Sequence, residues 1–354
     1  MLLHTLTQDF LADVKQLASP GDTLFDFSEA VTDLAEVVFE AGLNLAELQL
    51  RKKYGEPRLD DGTPAPFSIC GLGKFGGREM GYASDVEVLF LYGGPGQTDG
   101  PEPIPNAIYF ETLVQLIVDL IDAPKKGVFH VDLRLRPYGK AGALASPLES
   151  ALNYYNTNGG AAQFERQALI KLRHVAGDEM LSRRLEQQRD RFTFGPEPWD
   201  MAAALHLRSR QVRELVRPRK LNVKYSAGGI IDIEYAVQYL QVLNGHEHRE
   251  IRTSNTLQAL SALSKLGIIG GDDYDGLRQA YLFLRRLIDS LRIVRGDASD
   301  LVLPDFGSDE FKSLARRVGR TGTPEESAES LAVETRRTMG WVERFFVGRF
   351  ASRA

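Results

Sequence analysis

Seven residues, Arg78 to Ser84, separate a glycine-rich segment from the next apolar run. That short distance limits the fold more than any other feature of the chain. The segment reads Gly71-Leu72-Gly73-Lys74-Phe75-Gly76-Gly77 and follows the strand-like Phe67-Ser68-Ile69-Cys70. Glycines at 71, 73 and 76 match the G-x-G-x-x-G pattern of dinucleotide-binding loops. Such a loop feeds a helix and then a parallel strand, a crossover of about a dozen residues or more. Seven residues that include Gly81, a poor helix-interior residue, do not supply one. The glycines therefore point to a nucleotide chemistry other than that of a Rossmann unit.

The next run supplies a candidate. Asp85 to Tyr92, DVEVLFLY, reads as a strand that ends at Gly93-Gly94-Pro95. Side chains alternate along a strand, so Asp85 and Glu87 face one way with Cα atoms about 7 Å apart, while Val86, Val88 and Phe90 face a core. Carboxylates so spaced suit two Mg²⁺ ions about 4 Å apart, the arrangement of in-line phosphoryl and nucleotidyl transfer. The preceding glycines let backbone N–H groups approach phosphate oxygens. Residues 128–136, VFHVDLRLR, read as a third strand stopped by Pro137-Tyr138-Gly139. Alternation there puts Asp132, Arg134 and Arg136 on one face: a third carboxylate and two guanidinium groups suited to phosphate. His130 shares that parity. Taken singly, each pattern is a common solvated strand face. It is the three together, in this order, that carry the chemistry.

The remainder reads as helices. Residues 27–53 carry Val31, Leu34, Val37, Val38, Ala41, Leu45 and Leu48 at helical spacing, and 106–122 form a strongly apolar helix. Ser146-Pro147-Leu148-Glu149 and Thr323-Pro324-Glu325-Glu326 read as capping boxes with proline at the first helical position. Thr253 is expected to cap a helix that Gly267 ends, and a stripe from Leu277 to Leu291 closes near Gly296. Arg278, Arg285, Arg286, Arg292 and Arg295 on that stripe's helix read as a solvated face, and Asp232 as an acid favoured at a helix start. The expected fold class is α+β, a small mixed sheet with helices followed by an all-α bundle. The expected divisions are an N-terminal helical arm (1–62), a sheet domain (63–178) and a helical bundle (179–354).

Composition narrows the partners. The 354 residues carry a formal net charge of −5, so there is no global basic field of the kind that favours nucleic acid. No apolar run approaches the roughly 18 residues of a membrane span. A single cysteine, Cys70, allows no intrachain disulfide and fits a reducing cytoplasm. The first residues show no signal-peptide pattern. His246 and His248 lack the further clustered ligands a zinc site needs.

The motifs resemble a known family. GLGKFGGREMGYASDVEVLFLY, VDLRLRPYGKAGAL, FERQALIKLRHVAGD and NVKYSAGGIIDIEYAVQYL are similar to signatures of the bifunctional glutamine synthetase adenylyltransferases, within the polymerase-β-like nucleotidyltransferase superfamily. The similarity runs in family order from about residue 28 to the helical C-terminal part. It implies transfer of AMP from ATP to a tyrosine of glutamine synthetase, or its removal by phosphate to give ADP. It implies glutamine synthetase as partner and a PII-type signalling protein as candidate regulator. Asp85, Glu87 and Asp132 match the family's metal-binding acids. Gly71, Gly73, Lys74, Gly76, Gly77 and Ser84 fall in its nucleotide loop, with Arg134, Arg136, Glu165 and Glu234 as further nucleotide-site candidates. Lys224 could reach a phosphate, although exposed lysines are common. Two departures stand out. Family proteins are about twice this length or more, with two related catalytic halves, and the motifs occur once here. Glu87 stands where aspartate is usual, and its extra methylene shifts the carboxylate. A non-catalytic nucleotide-sensing or glutamine-synthetase-binding module, and transfer to another acceptor, are the alternatives.

Overall fold

A computed structural model describes residues 22–121, 130–296 and 301–350. Helix α1 (Asp22–Tyr54) leads into β1 (Pro57–Leu59) and β2 (Phe67–Gly71), then the single turn α2 (Gly73–Gly76) and β3 (Val86–Tyr92). After β4 (Gly96–Thr98) come α3 (Asn106–Ile121), β5 (Val131–Asp132), β6 (Ala145–Pro147), α4 (Leu148–Tyr154), α5 (Gln163–Ala168), β7 (Arg173–Gly177) and α6 (Glu179–Thr193). Helices alone follow: α7 (Met201–Leu215), α8 (Ile230–Asn244), α9 (Thr256–Lys265), α10 (Gly271–Arg295), α11 (Asp309–Arg317) and α12 (Pro324–Phe350). The architecture is α+β, a small mixed sheet followed by a helical region.

The short glycine-loop connection makes β2 and β3 antiparallel neighbours, with Gly71 opposite Val88 and Phe67 opposite Tyr92. β7 joins the other edge of β2, and β5 and β6 pair in succession, both parallel, with the outer edge of β3. β3 is covered on both faces. Val86, Val88, Phe90 and Tyr92 pack with α1 and α3, while Leu89 and Leu91 pack with Cys70, Leu148 and Leu185 on the other side. The face that carries Glu87 is thus polar only at its N-terminal end, where β5 begins.

Several sequence expectations change. The apolar stripe expected on α1 is only partly its buried one: Val31 is in the core and Leu34 and Val38 pack at its margin. Leu24, Phe27, Val31, Ala35, Phe39, Leu43, Ala46 and Leu50 face the core, whereas Val37, Leu45 and Leu48 are about half exposed (48–58%). Two apolar rows run along this helix, and spacing alone does not say which one the sheet covers. The third strand is two residues long where 128–136 were expected; residues 128 and 129 lie outside the described residues. Pro147 is the N-cap of α4, not its first helical residue, and Ser146 lies in β6. The cap of α9 is Asn255, whose side chain accepts from the N–H groups of Leu257 and Gln258. Thr253 instead accepts from Asn255 N–H. The box at Thr323 forms as expected, with Glu326 N–H donating to Thr323 Oγ1 and Thr323 N–H to Glu326 Oε2.

The largest change concerns α10. Arg285 is 3% exposed, and its guanidinium donates to Glu79 O (2.6 Å) and Ser28 Oγ (3.2 Å). Arg292 donates to Tyr82 O (2.9 Å) and Ser84 Oγ (3.3 Å). These two arginines hold the segment after the glycine loop and do not decorate a solvated face. Glu79 itself pairs with Lys171 (2.8 Å), both buried, and accepts from Thr256 N–H. Lys171 also donates to Thr256 Oγ1 (2.9 Å). A buried pair is tolerable only when its remaining polar atoms are satisfied. Here those atoms come from Thr256 of α9, while Arg285 of α10 holds the Glu79 backbone carbonyl, so the helical region is tied directly to the segment after the glycine loop.

Candidate active site

Two of the three sequence-expected acids pair at the N-terminal end of β3, and the third lies just ahead of it. Glu87 and Asp132 are register partners on the parallel strands β3 and β5, so their side chains leave the sheet side by side. Asp85 lies one residue before β3 and is exposed. The glycine loop wraps over Glu87. Leu72 N–H donates to Glu87 O (2.8 Å), and Gly73 has φ +50°. A Cβ at Gly73 would lie 1.4 Å from Glu87 Oε2, and one at Gly76 would lie 1.8 Å from Lys171 O. Gly73 gives the loop its close approach to the acid strand, and Gly76 its close approach to the backbone at Lys171. The N–H groups of Gly76 and Gly77 are already bonded, to Leu72 O (2.8 Å) and Gly73 O (3.1 Å), which leaves neither for a phosphate.

Cations close the site from the helical region and the loop. Lys74 pairs with Glu234 of α8 at 2.5 Å. Burial pushes the Glu234 carboxyl up, but the charge and hydrogen bond of Lys74, with the charges of Lys171 and Arg285, together outweigh it and hold the group below its usual range. Lys224 sits in a turn organised by Asn222, whose side-chain oxygen accepts the N–H groups of Lys224 and Tyr225 (both 2.9 Å). Burial pulls Lys224 down, yet Tyr225 and the carboxylates of Glu234 and Glu87 raise it above its usual value. Burial also pushes Glu87 above the usual carboxylate range. Lys224 pulls it back, the neighbouring charge of Asp132 raises it further, and Lys74 and Asp85 act more weakly. Like charges crowded in a half-dry place favour either a proton or a bound cation.

Asp132 is engaged otherwise. Arg134 folds back on it, with Nε at 2.9 and 3.0 Å from the two carboxylate oxygens, Nη2 at 2.5 Å, and the Arg134 N–H at 2.9 Å. Burial raises Asp132, but these bonds outweigh it and hold the carboxyl below its usual range. Arg136 does not join them. β5 ends at Asp132, so parity stops there, and the Arg136 guanidinium turns to Leu133 O (2.6 Å), Gly142 O (3.1 Å) and Lys140 O (3.4 Å). Glu165 caps its own helix: its carboxylate accepts from Ala162 N–H and from the Tyr154 hydroxyl, both at 2.9 Å. Ser84 is buried and accepts from Gly81 N–H (2.9 Å).

The donor chemistry at this end of β3, carboxylate oxygens with raised mutual repulsion, fits a hard divalent cation such as Mg²⁺. Among the described residues no three acids, histidines or cysteines gather closely enough to cage an ion. Mg²⁺ usually takes one or two protein carboxylates and completes its shell with water and substrate phosphate, so Glu87 with Asp85 or Asp132 suffices.

The family model described as glutamate-ammonia ligase adenylyltransferase matches residues 12–188, the span that holds the sheet and its three acids. The chain belongs to that family. A second model, described as GlnD PII-uridylyltransferase, matches the helical residues 200–348. Among curated relatives, the bifunctional glutamine synthetase adenylyltransferase/adenylyl-removing enzyme of Thioalkalivibrio sulfidiphilus is 33% identical over 87% of this chain and 33% of its own length. That of Stenotrophomonas maltophilia is 35% identical over 83% and 32%, and that of Shewanella loihica 31% over 96% and 34%. The chain spans about a third of the length of these relatives.

Some residues of this adenylyltransferase-family chain were hard to find by sequence reasoning. Lys224 looked like one more exposed lysine, and the signal for it was Asn222, two residues before, which can fold such a turn with its side chain. Arg208 gave no signal. It pairs with Asp232 at 2.6 Å and donates to Tyr225 O and Ser226 O at 3.1–3.2 Å, so it holds the turn that presents Lys224. His246 lines an open cleft of about 850 Å³ with Arg191, Arg249 and Arg252, none of which belongs to the acid site. Among the described residues no helix is long and apolar enough to cross a membrane.

Proposed function

We propose that this chain is a nucleotidyltransferase that transfers AMP from ATP to a tyrosine of glutamine synthetase, removes that AMP by phosphorolysis, or does both. What supports the reading is the pairing of Glu87 with Asp132 across β3 and β5, with Asp85 ahead of them and Lys224 facing Glu87. In transfer, the tyrosine oxygen attacks the α-phosphorus, its proton leaves, and the bond to pyrophosphate breaks. In removal, inorganic phosphate attacks the same phosphorus to form ADP, the bond to the tyrosine oxygen breaks, and that oxygen takes up a proton to restore the hydroxyl. Asp85, Glu87 and Asp132 would hold Mg²⁺, which would neutralise phosphate charge and align the attacking oxygen. Lys224 and Lys74 stand where they can meet phosphate oxygens, and Arg134, once drawn from Asp132, offers a planar fork to the same group. A PII-type protein is proposed as a regulator acting on the helical region, in keeping with the match of residues 200–348. The cytoplasm is the proposed compartment.

A second reading has one observation of its own. With Asp132 clamped by Arg134, the site as it stands resembles a closed, nucleotide-sensing module. Labelled ATP and Mg²⁺ with glutamine synthetase, beside a phosphate-driven removal assay, test the two readings. AMP gained or lost at a tyrosine supports the enzyme. Glu87→Asp, which shortens the acid to the more usual residue, is expected to retain or raise the activity. Binding of glutamine synthetase by both proteins with turnover by neither supports the module.

A further inference from the structure

Asp85 is the acid with the least visible support. It is exposed, it precedes β3, and no side-chain hydrogen bond holds it. Its place is set by the turn before it, residues 81–84. Ser84 N–H donates to Gly81 O (3.2 Å), Gly81 N–H donates to Ser84 Oγ (2.9 Å), and Ala83 between them is left-handed at φ +51°. A non-glycine residue in that region carries strain that its surroundings must offset. The surroundings come from α10. Asp289 Oδ1 lies where a Cβ on Gly81 would come within 2.3 Å, so the turn rides directly on the helix. One helical turn on, Arg292 donates through a single nitrogen to Tyr82 O (2.9 Å) and Ser84 Oγ (3.3 Å). Further back, Arg285 holds Glu79 O.

We infer that Arg292 is a positioning residue. By holding Tyr82 O and Ser84 Oγ it fixes the 81–84 turn and, through it, the direction in which Asp85 enters the acid site. The inference deepens the nucleotidyltransferase reading and rests on it for the role of Asp85. Its geometric content is confined to α10 and the turn. Arg292 acts through the backbone and through Ser84, not by touching nucleotide. A shift of about 1 Å in a reacting group can cost on the order of 100-fold in rate, so a helix lodged in the bundle can govern an acid on the sheet.

The test is a double-mutant cycle on the full chain with Arg292→Lys and Ser84→Ala, with Mn²⁺ and Mn²⁺-ATP as probes and free Mn²⁺ followed by electron paramagnetic resonance. Each single variant is expected to weaken Mn²⁺-ATP binding by roughly 10-fold. The double variant is expected to be no weaker than the worse single, because both remove one link. Hydrogen exchange of the peptide spanning 78–88, measured without ligand, is expected to rise in all three, with little change in melting temperature. Additive losses overturn the inference, as does unchanged binding with a lowered melting temperature, which would make Arg292 structural glue. If wild type binds Mn²⁺-ATP with these couplings but modifies no glutamine synthetase, the proposed acceptor fails and the positioning role stands. If wild type binds no Mn²⁺-ATP, both fail.

Discussion

Two acids two residues apart on α8 take opposite parts. Asp232 and Glu234 point to different sides of the helix, as i and i+2 must. Asp232 turns to α7 and meets Arg208 in a dry contact, with side-chain exposures of 6% and 4%. Glu234 turns to the sheet and meets Lys74 beside Glu87, where exposures rise to 12% and 23%. Every other donor on Arg208 is spent on the backbone of 225–226, and Gly228 N–H fills the second oxygen of Asp232 (2.6 Å). Lys74 makes a single bond to Glu234, through one carboxylate oxygen. The first pair is saturated; the second is less buried and less fully bonded. Burial and saturation, more than charge or position in sequence, separate a strut from a working group.

The largest expected effect tests the strut. Arg208→Ala leaves Asp232 charged, buried and short of its partner, which typically costs about 3–5 kcal/mol. Melting should fall by many degrees, and a double change of Arg208 and Asp232 to apolar residues of similar volume should recover most of the loss. If Arg208→Ala melts like wild type, the contrast with Lys74–Glu234 collapses. Glu234→Gln should act mainly on binding: roughly 10-fold weaker Mg-ATP binding, with a smaller drop in melting temperature at neutral pH than Arg208→Ala gives. Because Lys74, with Lys171 and Arg285, holds the Glu234 carboxyl below its unfolded value, its contribution to stability is present above the ordinary carboxylate range. That contribution is lost as pH falls through the lowered value. Urea titrations between neutral and acid pH should therefore show a steeper acid loss in wild type than in Glu234→Gln.

Two smaller effects sharpen the same distinction elsewhere. Arg136 bonds three backbone carbonyls, whereas Arg134 is 69% exposed and bonds only Asp132 and its own local turn. Arg136→Ala should cost about 1 kcal/mol of stability in chemical denaturation, and Arg134→Ala close to none. Equal losses would place both arginines on the structural side. The smallest signal is a silence. Burial pushes the Cys70 thiol up to about 12, the largest of its influences. A disulfide reagent at pH 8 should leave it unmodified in wild type and in Glu234→Gln, and modify it once the sheet unfolds.

Much of this was legible in the sequence where periodicity is long and continuous. β2, β3 and α3 lie within a residue or so of their expected bounds, because each is an unbroken apolar pattern between turn formers. Asp85 and Glu87 were placed at the start of β3 for the same reason. Parity misled at Arg136 because it holds only while a strand continues, and β5 stops before it. α1 misled because it carries two apolar rows, and the choice between them is made by α3 and the sheet. Arg208, Arg285 and Arg292 were illegible for a common cause. Each acquires its role from a partner more than 15 residues away in the chain or from backbone carbonyls, and no local pattern records that.

The contact between Gly73 and Glu87 has an evolutionary consequence. A side chain at 73 and a glutamate at 87 compete for one volume, since a Cβ there would overlap Glu87 Oε2. Neither position can drift alone while the acid keeps its place. Aspartate at 87 withdraws the carboxylate by one methylene and relaxes the exclusion, leaving only the cost of the left-handed backbone at 73, roughly 1–2 kcal/mol for a non-glycine residue. Glu87→Asp is therefore expected to act as a partial genetic suppressor of Gly73→Ala. A chain that holds glutamate at 87 in this rotamer accepts a side chain at 73 only if the carboxylate moves aside, so the two positions constrain one another.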